Sequence, residues 1–461
     1  MINNINQKKL LFLIYLPIFV NFVYNKLISD SIKSINLFNI FSTLLIFFVL
    51  YSFGSLIKKS LNLPFISTGI VFYFFTFFTL EYILLFFNKD IKFSNIFLYT
   101  NIAWLFYFLF VKSEFKNTFK ITILLIGSQV FNFLYFEKIT KEINIIGDVK
   151  DVLYKHVENI FEYNYFFSMN NASMEGYPQL TAYFQAIIHK IAIYSDAFQY
   201  FKPASNVIFL LVLLLFFELN LKLDSKILIF LLYTILIFNS EWFKFLFIDS
   251  LMTEGVVGYV FATLLLSILK NNFNVYKGNA YSFFLFGLLF IAKQFISTIS
   301  ILIILSMVFI KLKRKFIIFG MFGIILKELS FLTYFKELTK NYHLKEVDIL
   351  DTVFDILLLR NLKLDNIQVI IKNLFLDKPF SFITLIFFIF LFIYIFYFKL
   401  EDIELNFIAL AILLNYLFVI LLYISIWKNM ELESPIRFFL NMYPLTLYFQ
   451  IKVIDKLIYK Y

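Results

Sequence analysis

The sequence predicts an all-α membrane protein, a polytopic bundle of about fourteen transmembrane helices. Two observations lead to this fold class. Hydrophobic residues make up 61% of the 461 positions and charged residues only 16%, whereas roughly half apolar is typical of a soluble domain. The apolar residues are also gathered into runs close to the roughly 20 residues that a bilayer-crossing helix requires. A soluble domain could not bury this much apolar surface.

The predicted spans are the apolar runs between polar loops. The first run is expected to be an uncleaved span, because no small-residue cleavage site follows it. In chain order the runs lie at 10–28, 36–57, 66–87, 95–111, 119–136, 204–219, 227–240, 251–270, 280–292, 295–310, 316–327, 380–399, 404–424 and 436–453.

Basic residues occur in alternate loops, which sets the expected orientation. Because lysine and arginine accumulate in cytoplasmic loops, these loops and both termini are predicted to be cytoplasmic. The expected location is the inner membrane of a bacterium, crossed many times. The basic residues in question are Lys8, Lys9, Lys58, Lys59, Lys112, Lys116, Lys120, Lys222, Lys226, Lys270, Lys277, those of 311–315, Lys452, Lys456 and Lys460.

A single membrane domain over 1–461 is the simplest organisation, because no repeat and no low-complexity linker interrupts the chain. It consists of N-terminal spans (1–136), a first outer loop (137–203), central spans (204–327), a second outer loop (328–379) and C-terminal spans (380–461). Both outer loops have helical periodicity. We expect their helices, at 148–166 and 179–194 in the first loop, to lie along the membrane surface. The apolar face predicted for 148–166 comprises Val152, Leu153, Val157, Ile160 and Phe161.

Several kinds of chemistry are excluded or disfavoured by composition. The chain has no cysteine, so disulfides and thiolate metal sites are excluded. His156, His189 and His343 are not spaced as metal ligands, and the need for a divalent cation is left open. The net charge of +10 is attributed to cytoplasmic loops, so no nucleic-acid partner is expected. No phosphate-binding loop, nucleophile elbow or dinucleotide turn is present.

The first outer loop carries the clearest candidate for a catalytic group. Asp148 and Asp151 are three residues apart and would share one face of a helix. A carboxylate partly removed from water can act as a general base, because burial raises its pKa towards neutrality. The alternative is that both carboxylates only keep a surface helix in water. Tyr177 and Pro178 then precede the next apolar run, where Pro178 could simply mark a helix start.

Three further charged positions fall next to predicted spans. Asp249 and Glu254 flank the start of span 251–270, where a charge is costly unless it faces a cavity; Glu254 could also begin the helix. Lys293 is a lone cation between two apolar runs, suited to a phosphate or else reaching the interface. Arg437 opens the last predicted span and could hold a phosphate with two parallel bonds, or pair with Glu431 or Glu433.

Five short segments together resemble the GT-C superfamily of integral-membrane glycosyltransferases, whose members include protein O-mannosyltransferases and the aminoarabinose transferase of lipid A. The segments occur in the family's order over about residues 140–445. Gly147 stands where the family often has tryptophan, Tyr154 where it has an aromatic residue and His156 where it has lysine. Five spans precede the first outer loop, where better-known members have one. The segments are GDVKDVLYKHVENIF, GYPQLTAYFQAI, FIDSLMTEGVVGYVFA, GLLFIAKQFIST and SPIRFFLNMYPL.

The resemblance implies transfer of a sugar from a polyprenyl-phosphate donor to an acceptor hydroxyl on the non-cytoplasmic face, with inversion. Asp148 or Asp151 would be the base, and Lys293 and Arg437 would bind the phosphate. Asp249 would orient the sugar or acceptor. The substrate-binding set would be Tyr154, His156, Tyr177, Pro178, Asp249, Glu254, Lys293 and Arg437. The partners implied are the lipid-linked sugar, a lipid, glycan or protein acceptor, and membrane lipids.

Two other functions are compatible with a chain of this kind. A flippase or transporter of lipid-linked oligosaccharides would place charges deep within its helices and show repeated halves. The charges here gather on one face and no repeat is evident. A polymerase or ligase of O-antigen would rely on outer-loop arginines and a histidine, for which Arg360 and His343 are the candidates.

Overall fold

The computed structural model describes residues 37–86, 91–139, 157–158, 160–161, 180–194, 202–218, 253–270, 367–368, 370–372, 380–425 and 442–459. Within these ranges the chain forms ten α-helices and no strand. A π-helical turn (Tyr107–Val111) extends the third helix, and a 3-10 turn (Phe136–Lys138) follows the fourth. The α-helices are α1 (Leu37–Leu61), α2 (Ile66–Phe86), α3 (Phe93–Phe106), α4 (Phe115–Leu134), α5 (Leu180–Ala192), α6 (Lys202–Glu218), α7 (Thr253–Leu269), α8 (Phe380–Phe398), α9 (Ile403–Ser425) and α10 (Tyr443–Tyr459).

The all-α prediction is confirmed for this part of the chain. Three helices, Leu37–Leu61, Phe93–Val111 and Ile403–Leu421, are long and apolar enough to cross a membrane. Shorter apolar helices occur in α2, α6, α7 and α8. A bundle of fourteen spans is not confirmed. The predicted spans at 10–28, 227–240, 280–292, 295–310 and 316–327 lie outside the described residues.

Large apolar side chains on the outside of the bundle are consistent with a lipid environment. Along α4, Phe119, Ile123, Ile126 and Phe133 are all more than half exposed. Other residues of the same helix, including Thr118, Ser128 and Asn132, are buried. A helix in water would bury the apolar side chains and expose the polar ones. The reversed distribution is what a helix facing lipid on one side requires.

Two helices, α1 and α8, end where the backbone enters the left-handed region. Asn62, directly after α1, has a φ of 55°, and Pro64 comes two residues later. Lys399 and Leu400 after α8 likewise have φ values of 50° and 56°. A left-handed residue after the last turn ends a helix. Asp402 then begins α9, because its Oδ1 accepts hydrogen bonds from the backbone N–H groups of Glu404 (2.9 Å) and Leu405 (3.3 Å).

Helix ends that carry predicted cytoplasmic lysines lie together at one end of the bundle, which we call the basic end. Lys59 at the end of α1 pairs with Glu114 before α4. Lys270, after α7, donates to the Pro64 carbonyl at 3.1 Å and lies 4.3 Å from the centre of the Phe65 ring. This grouping is the one expected if those loops face a common side.

A carboxylate from α6 closes the first turn of α2 at the basic end. Glu218 accepts a hydrogen bond from the backbone N–H group of Ile66. It also accepts hydrogen bonds from the backbone N–H group of Ser67 and from the Ser67 hydroxyl, each at 2.8 Å. Its side chain is only 9% exposed, and the Lys58 ammonium lies 3.9 Å away. Negative charge is favourable at a helix N-terminus, where backbone donors lack partners. Glu218 therefore joins α2 to α6.

The C-terminal helices meet at the same end. Lys456 of α10 lies 2.7 Å from the Asp402 carboxylate, and the Tyr448 hydroxyl donates to Glu404. Lys270 is close enough to Glu404 for their charges to interact. The last helix begins at Tyr443 after a turn at Met442, with Pro444 in its first turn as expected. Arg437, predicted to open the last span, lies outside the described residues.

At the opposite end, which we call the loop end, the first outer loop contacts the bundle. The Tyr194 hydroxyl donates to the Ser94 carbonyl at 3.2 Å. The Phe161 ring lies 6.1 Å from that of Phe93, at the start of α3. Of the apolar face predicted for 148–166, Val157, Ile160 and Phe161 are described, and all three are buried. That part of the amphipathic prediction is confirmed.

Candidate functional site

Nine of the ten sequence-predicted site residues lie outside the described residues. The backbone of Glu254 is in the first turn of α7. The convergence of these residues on one cavity stays a prediction. The nine are Asp148, Asp151, Tyr154, His156, Tyr177, Pro178, Asp249, Lys293 and Arg437.

The helix α5 begins two residues after Pro178 and provides the best-described candidate site. A helix over 179–194 is predicted, and Leu180–Ala192 confirms it. The prediction that it lies on the surface differs from what the structure shows. The described side chains from Thr181 to Ile193 are all buried. A helix at a membrane surface would leave its polar face in water, whereas α5 is enclosed on every side.

Aromatic rings hold the apolar face of α5 against α2 and α3. The Phe184 ring stacks on Phe74, with 4.0 Å between centroids and 11° between planes. The Tyr183 ring meets Phe78 and Phe93 edge-on, each at 5.4 Å. Such ring pairs stabilise packing beyond their buried area. They fix both the depth and the rotation of α5, and so determine where its polar residues lie.

The polar side chains of α5 form a row along one face. Thr181, Gln185 and His189 follow one another at steps of four residues, which places them on the same side of the helix. They are 0%, 3% and 3% exposed. Within the described part of the chain, the Thr181 hydroxyl oxygen has no hydrogen-bond partner. We call these three residues the polar row.

Phe161, from the helix predicted for 148–166, contacts the C-terminal end of the polar row. The Phe161 ring meets His189 edge-on, at 4.8 Å between ring centroids. Lys190 Nζ lies 4.8 Å from the centre of Phe161 and 5.4 Å from that of Tyr194. The lysine is 1% exposed, and a desolvated cation is attracted to ring faces. An imidazole and an ammonium group are thus packed where the predicted 148–166 helix meets α5.

A second contact anchors Lys190 from the side of α4. The Gln129 side-chain amide donates to the Lys190 backbone carbonyl at 3.2 Å. This contact is made by the backbone of Lys190, whereas its ammonium group lies near the rings of Phe161 and Tyr194. Ionisable residues inside a membrane domain are costly and mark functional sites by default. Lys190 and His189 meet that criterion, and they lie at the loop end.

The site brings together a hydroxyl, a carboxamide and an imidazole, with one ammonium group nearby. No group of three or more histidine, cysteine, aspartate or glutamate residues that could hold a metal ion occurs among the described residues. The polar row and Lys190 were not singled out from the sequence. The spacing of Thr181, Gln185 and His189 at four-residue steps in an otherwise apolar run is the signal that could have identified them.

The buried polar cluster at the basic end is of a different kind. Both oxygens of its central carboxylate, Glu218, accept hydrogen bonds from Ile66 and Ser67. The hydroxyl groups of Thr68 in α2 and Ser267 in α7 are hydrogen-bonded to each other. Such satisfied networks hold helices together. We therefore interpret this cluster as structural.

Comparisons with protein-family models, with curated proteins and with solved structures find no match to this chain. The resemblance to the GT-C superfamily accordingly depends on the sequence segments alone.

Proposed function

We propose that this chain is a membrane glycosyltransferase that moves a sugar from a polyprenyl-phosphate donor to an acceptor hydroxyl on the non-cytoplasmic face. The observation that carries the proposal is the burial of α5. This helix follows the acidic and aromatic segment of the first outer loop and carries hydrogen-bonding groups in an apolar bundle. A loop that only connects two spans has no reason to bury such groups at the cost they incur.

The reaction proposed is a single displacement with inversion. Asp148 or Asp151 removes the proton from the acceptor hydroxyl, and the resulting oxygen forms a bond to the anomeric carbon as the bond from that carbon to the phosphate oxygen breaks. Lys293 and Arg437 bind the departing polyprenyl phosphate and stabilise its charge. Asp249 orients the sugar or the acceptor. No redox step or nucleotide is required.

The direct test is transfer from polyprenyl-phosphate sugars by the purified protein in lipid. We expect Asp148→Asn to abolish transfer while the protein still inserts and accumulates, with Asp151→Asn as the alternative site of loss. Glu158→Gln is the matched control, because Glu158 belongs to the same predicted helix and is half-buried. Full transfer by both aspartate variants would refute the assignment of the base.

The burial of Lys190 also favours a second candidate, a transporter of lipid-linked oligosaccharides. Such a protein places charged groups within its helices, and Lys190 is 1% exposed within α5. The two functions are separated by what happens to the donor in sealed vesicles. A transferase breaks the bond between sugar and phosphate, whereas a transporter moves the intact molecule to the other leaflet.

A further inference from the structure

We propose that the tip of the hairpin formed by α3 and α4 binds an anionic phospholipid of the bilayer. The hairpin tip comprises residues 106–120, which are the end of α3, its π-helical turn, a short link and the first turns of α4. Exposed lysines and exposed aromatic rings both occur in it. The inference concerns the chain as a membrane protein and does not depend on the proposed glycosyltransferase activity.

Three lysines of the hairpin tip have no acidic partner. Lys112, Lys116 and Lys120 are exposed, and none of them forms an ion pair within the described part of the chain. Lys116 and Lys120 are four residues apart, so they share one face of α4, and like charges at this spacing repel each other. Lys116 is also in the first turn of α4, where the helix dipole disfavours a cation. An anion bound beside these side chains would offset both effects.

The acidic residue of the hairpin tip, Glu114, is used within the protein. Its carboxylate pairs with Lys59 of α1 and accepts a hydrogen bond from the side-chain amide of Asn117 at 2.7 Å. A lysine of the C-terminal helices is likewise balanced, since Lys456 lies 2.7 Å from the Asp402 carboxylate. The hairpin tip therefore keeps the positive charge of its three lysines, and an anionic headgroup is complementary to it.

Aromatic side chains next to these lysines face outward. Phe106, Phe110, Phe115 and Phe119 are between 58% and 69% exposed, and two of them directly precede a lysine of α4. Lysine and phenylalanine side by side are typical of segments that bind at the boundary between anionic headgroups and acyl chains. The surface thus offers cations for a phosphate and rings for an acyl chain, which are the two parts of an anionic phospholipid.

The backbone of the hairpin tip is ordered by hydrogen bonds across the turn. The Lys112 N–H donates to the Tyr107 carbonyl at 3.1 Å, and the Glu114 N–H donates to the Phe108 carbonyl at 2.9 Å. Ser113, between these two donors, has a φ of 53°. The backbone of the site is therefore formed by the chain's own contacts, which lowers the entropic cost of binding a lipid.

The type of cation indicates how the lipid is selected. Lysine contacts a phosphate as a point charge, without the two parallel bonds that arginine forms. Charge, rather than the shape of the headgroup, should therefore determine the preference. We expect the site to favour phosphatidylglycerol over zwitterionic phosphatidylcholine, with each lysine contributing about fivefold to the affinity.

The experiment counts lipids bound to the full chain by native mass spectrometry. Protein in detergent is titrated with phosphatidylglycerol or with phosphatidylcholine carrying the same acyl chains. We expect wild-type protein to prefer phosphatidylglycerol, and the combined change Lys112→Gln, Lys116→Gln and Lys120→Gln to reduce this preference by about tenfold or more. Arginine at the same three positions (Lys112→Arg, Lys116→Arg and Lys120→Arg) should keep the preference, because it keeps the charge.

A matched control removes the same charge elsewhere. The combined change Lys92→Gln, Lys372→Gln and Lys399→Gln affects three exposed lysines outside the hairpin tip. This control should keep the preference for phosphatidylglycerol. An equal loss in both glutamine variants would show that net charge selects the lipid, and the inference would be wrong. It would also be wrong if wild-type protein bound both lipids equally, or if the arginine variant lost the preference.

A second measurement uses wild-type protein alone and so avoids effects of variants on folding. The preference should fall as the salt concentration rises from about 0.1 M to about 1 M, because the Debye length shrinks from about 10 Å to about 3 Å. Inorganic phosphate should displace no more phosphatidylglycerol than chloride does at the same ionic strength, since it has no acyl chain. Specific displacement by phosphate would indicate a site for a soluble anion and overturn the inference, as would a preference that salt leaves unchanged.

Discussion

The backbone of Gly69 in α2 lies directly against the backbone of Gly54 in α1. A Cβ atom at residue 69 would come within 2.9 Å of the Gly54 carbonyl carbon and 3.1 Å of its Cα, and closer still to the carbonyl oxygen. A Cβ at residue 54 would come within 2.9 Å of the Ile66 carbonyl oxygen. Close approach of two helices at small residues is typical of packing in membranes, where tight contact replaces the hydrophobic effect.

Gly69→Ala is expected to destabilise the protein by about 1–3 kcal/mol, because the added methyl group meets backbone atoms that cannot move aside. Thermal unfolding in detergent measures the change. Gly127→Ala in α4 is the matched control, since nothing lies within 4 Å of a Cβ there. An equal loss of stability in both variants would show that the crossing is not the cause.

Glu218→Ala should destabilise the protein by about 1–3 kcal/mol, because it leaves the backbone donors of Ile66 and Ser67 without their acceptor. Chemical denaturation in detergent gives the free energy of unfolding. For comparison, Glu114→Ala removes a carboxylate whose partner Lys59 is 67% exposed. An exposed ion pair contributes about 0–1 kcal/mol, so this variant should be close to wild type. A Glu218 variant as stable as Glu114→Ala would contradict the proposed cap.

Asp402 is expected to contribute to stability in a pH-dependent way. Burial alone would raise the pKa of its carboxyl, but hydrogen bonds from Lys456, Leu405 and Glu404 outweigh burial and hold this pKa below its usual value. A carboxyl with a lowered pKa stabilises the fold fully above its ordinary pKa of about 3.9. That contribution is lost as the pH falls through the lower pKa of the folded protein.

The variant Asp402→Asn tests this dependence. The difference in melting temperature between wild type and Asp402→Asn should be constant near neutral pH and shrink in acid, below about pH 4. Glu401→Gln, an exposed neighbour, is the control and should show no such trend. A difference that stays constant down to the lowest pH at which the protein folds would show that Asp402 is not stabilised as a carboxylate.

Single cysteines can test the orientation of the bundle, because the chain has none of its own. Lys116→Cys and Glu401→Cys are exposed positions at the basic end, and Glu137→Cys is exposed after α4. A thiol reagent that does not cross membranes should label the first two from the cytoplasmic side and the third from the other side. Labelling of Lys116→Cys and Glu137→Cys from the same side would refute the assignment of α4 as a span.

The positions of helices were predictable because each depends on a local run of apolar residues. The span predicted at 66–87 corresponds to Ile66–Phe86, and that at 204–219 to Lys202–Glu218. The last span was predicted at 436–453, and its described part, Tyr443–Tyr459, extends past the predicted end because hydropathy alone favours a segment that stops before Asp455 and Lys456. In the folded chain Lys456 has Asp402 as a partner, so the helix continues through it to Tyr459.

Contacts between distant helices were not predictable in the same way. Periodicity describes one helix at a time, and it cannot tell whether a polar face meets water or a neighbouring helix. The row from Thr181 to His189 was therefore expected at a surface, although Phe161 and the bundle enclose it. The candidate site of the sequence, from Asp148 to Arg437, stays a prediction, because only the backbone of Glu254 falls within the described residues.

The link between Glu218 and α2 has a consequence for how the protein is made. The carboxylate that closes the first turn of α2 is encoded 152 positions after Ile66. When α2 leaves the ribosome, its first N–H groups have no acceptor from α6, and water or lipid headgroups must bind them until α6 is synthesised. Assembly of the N-terminal helices is thus completed only after α6 has been synthesised. In a nascent chain that is stopped before Glu218, α2 should be less stably packed than in a chain that extends just past Glu218.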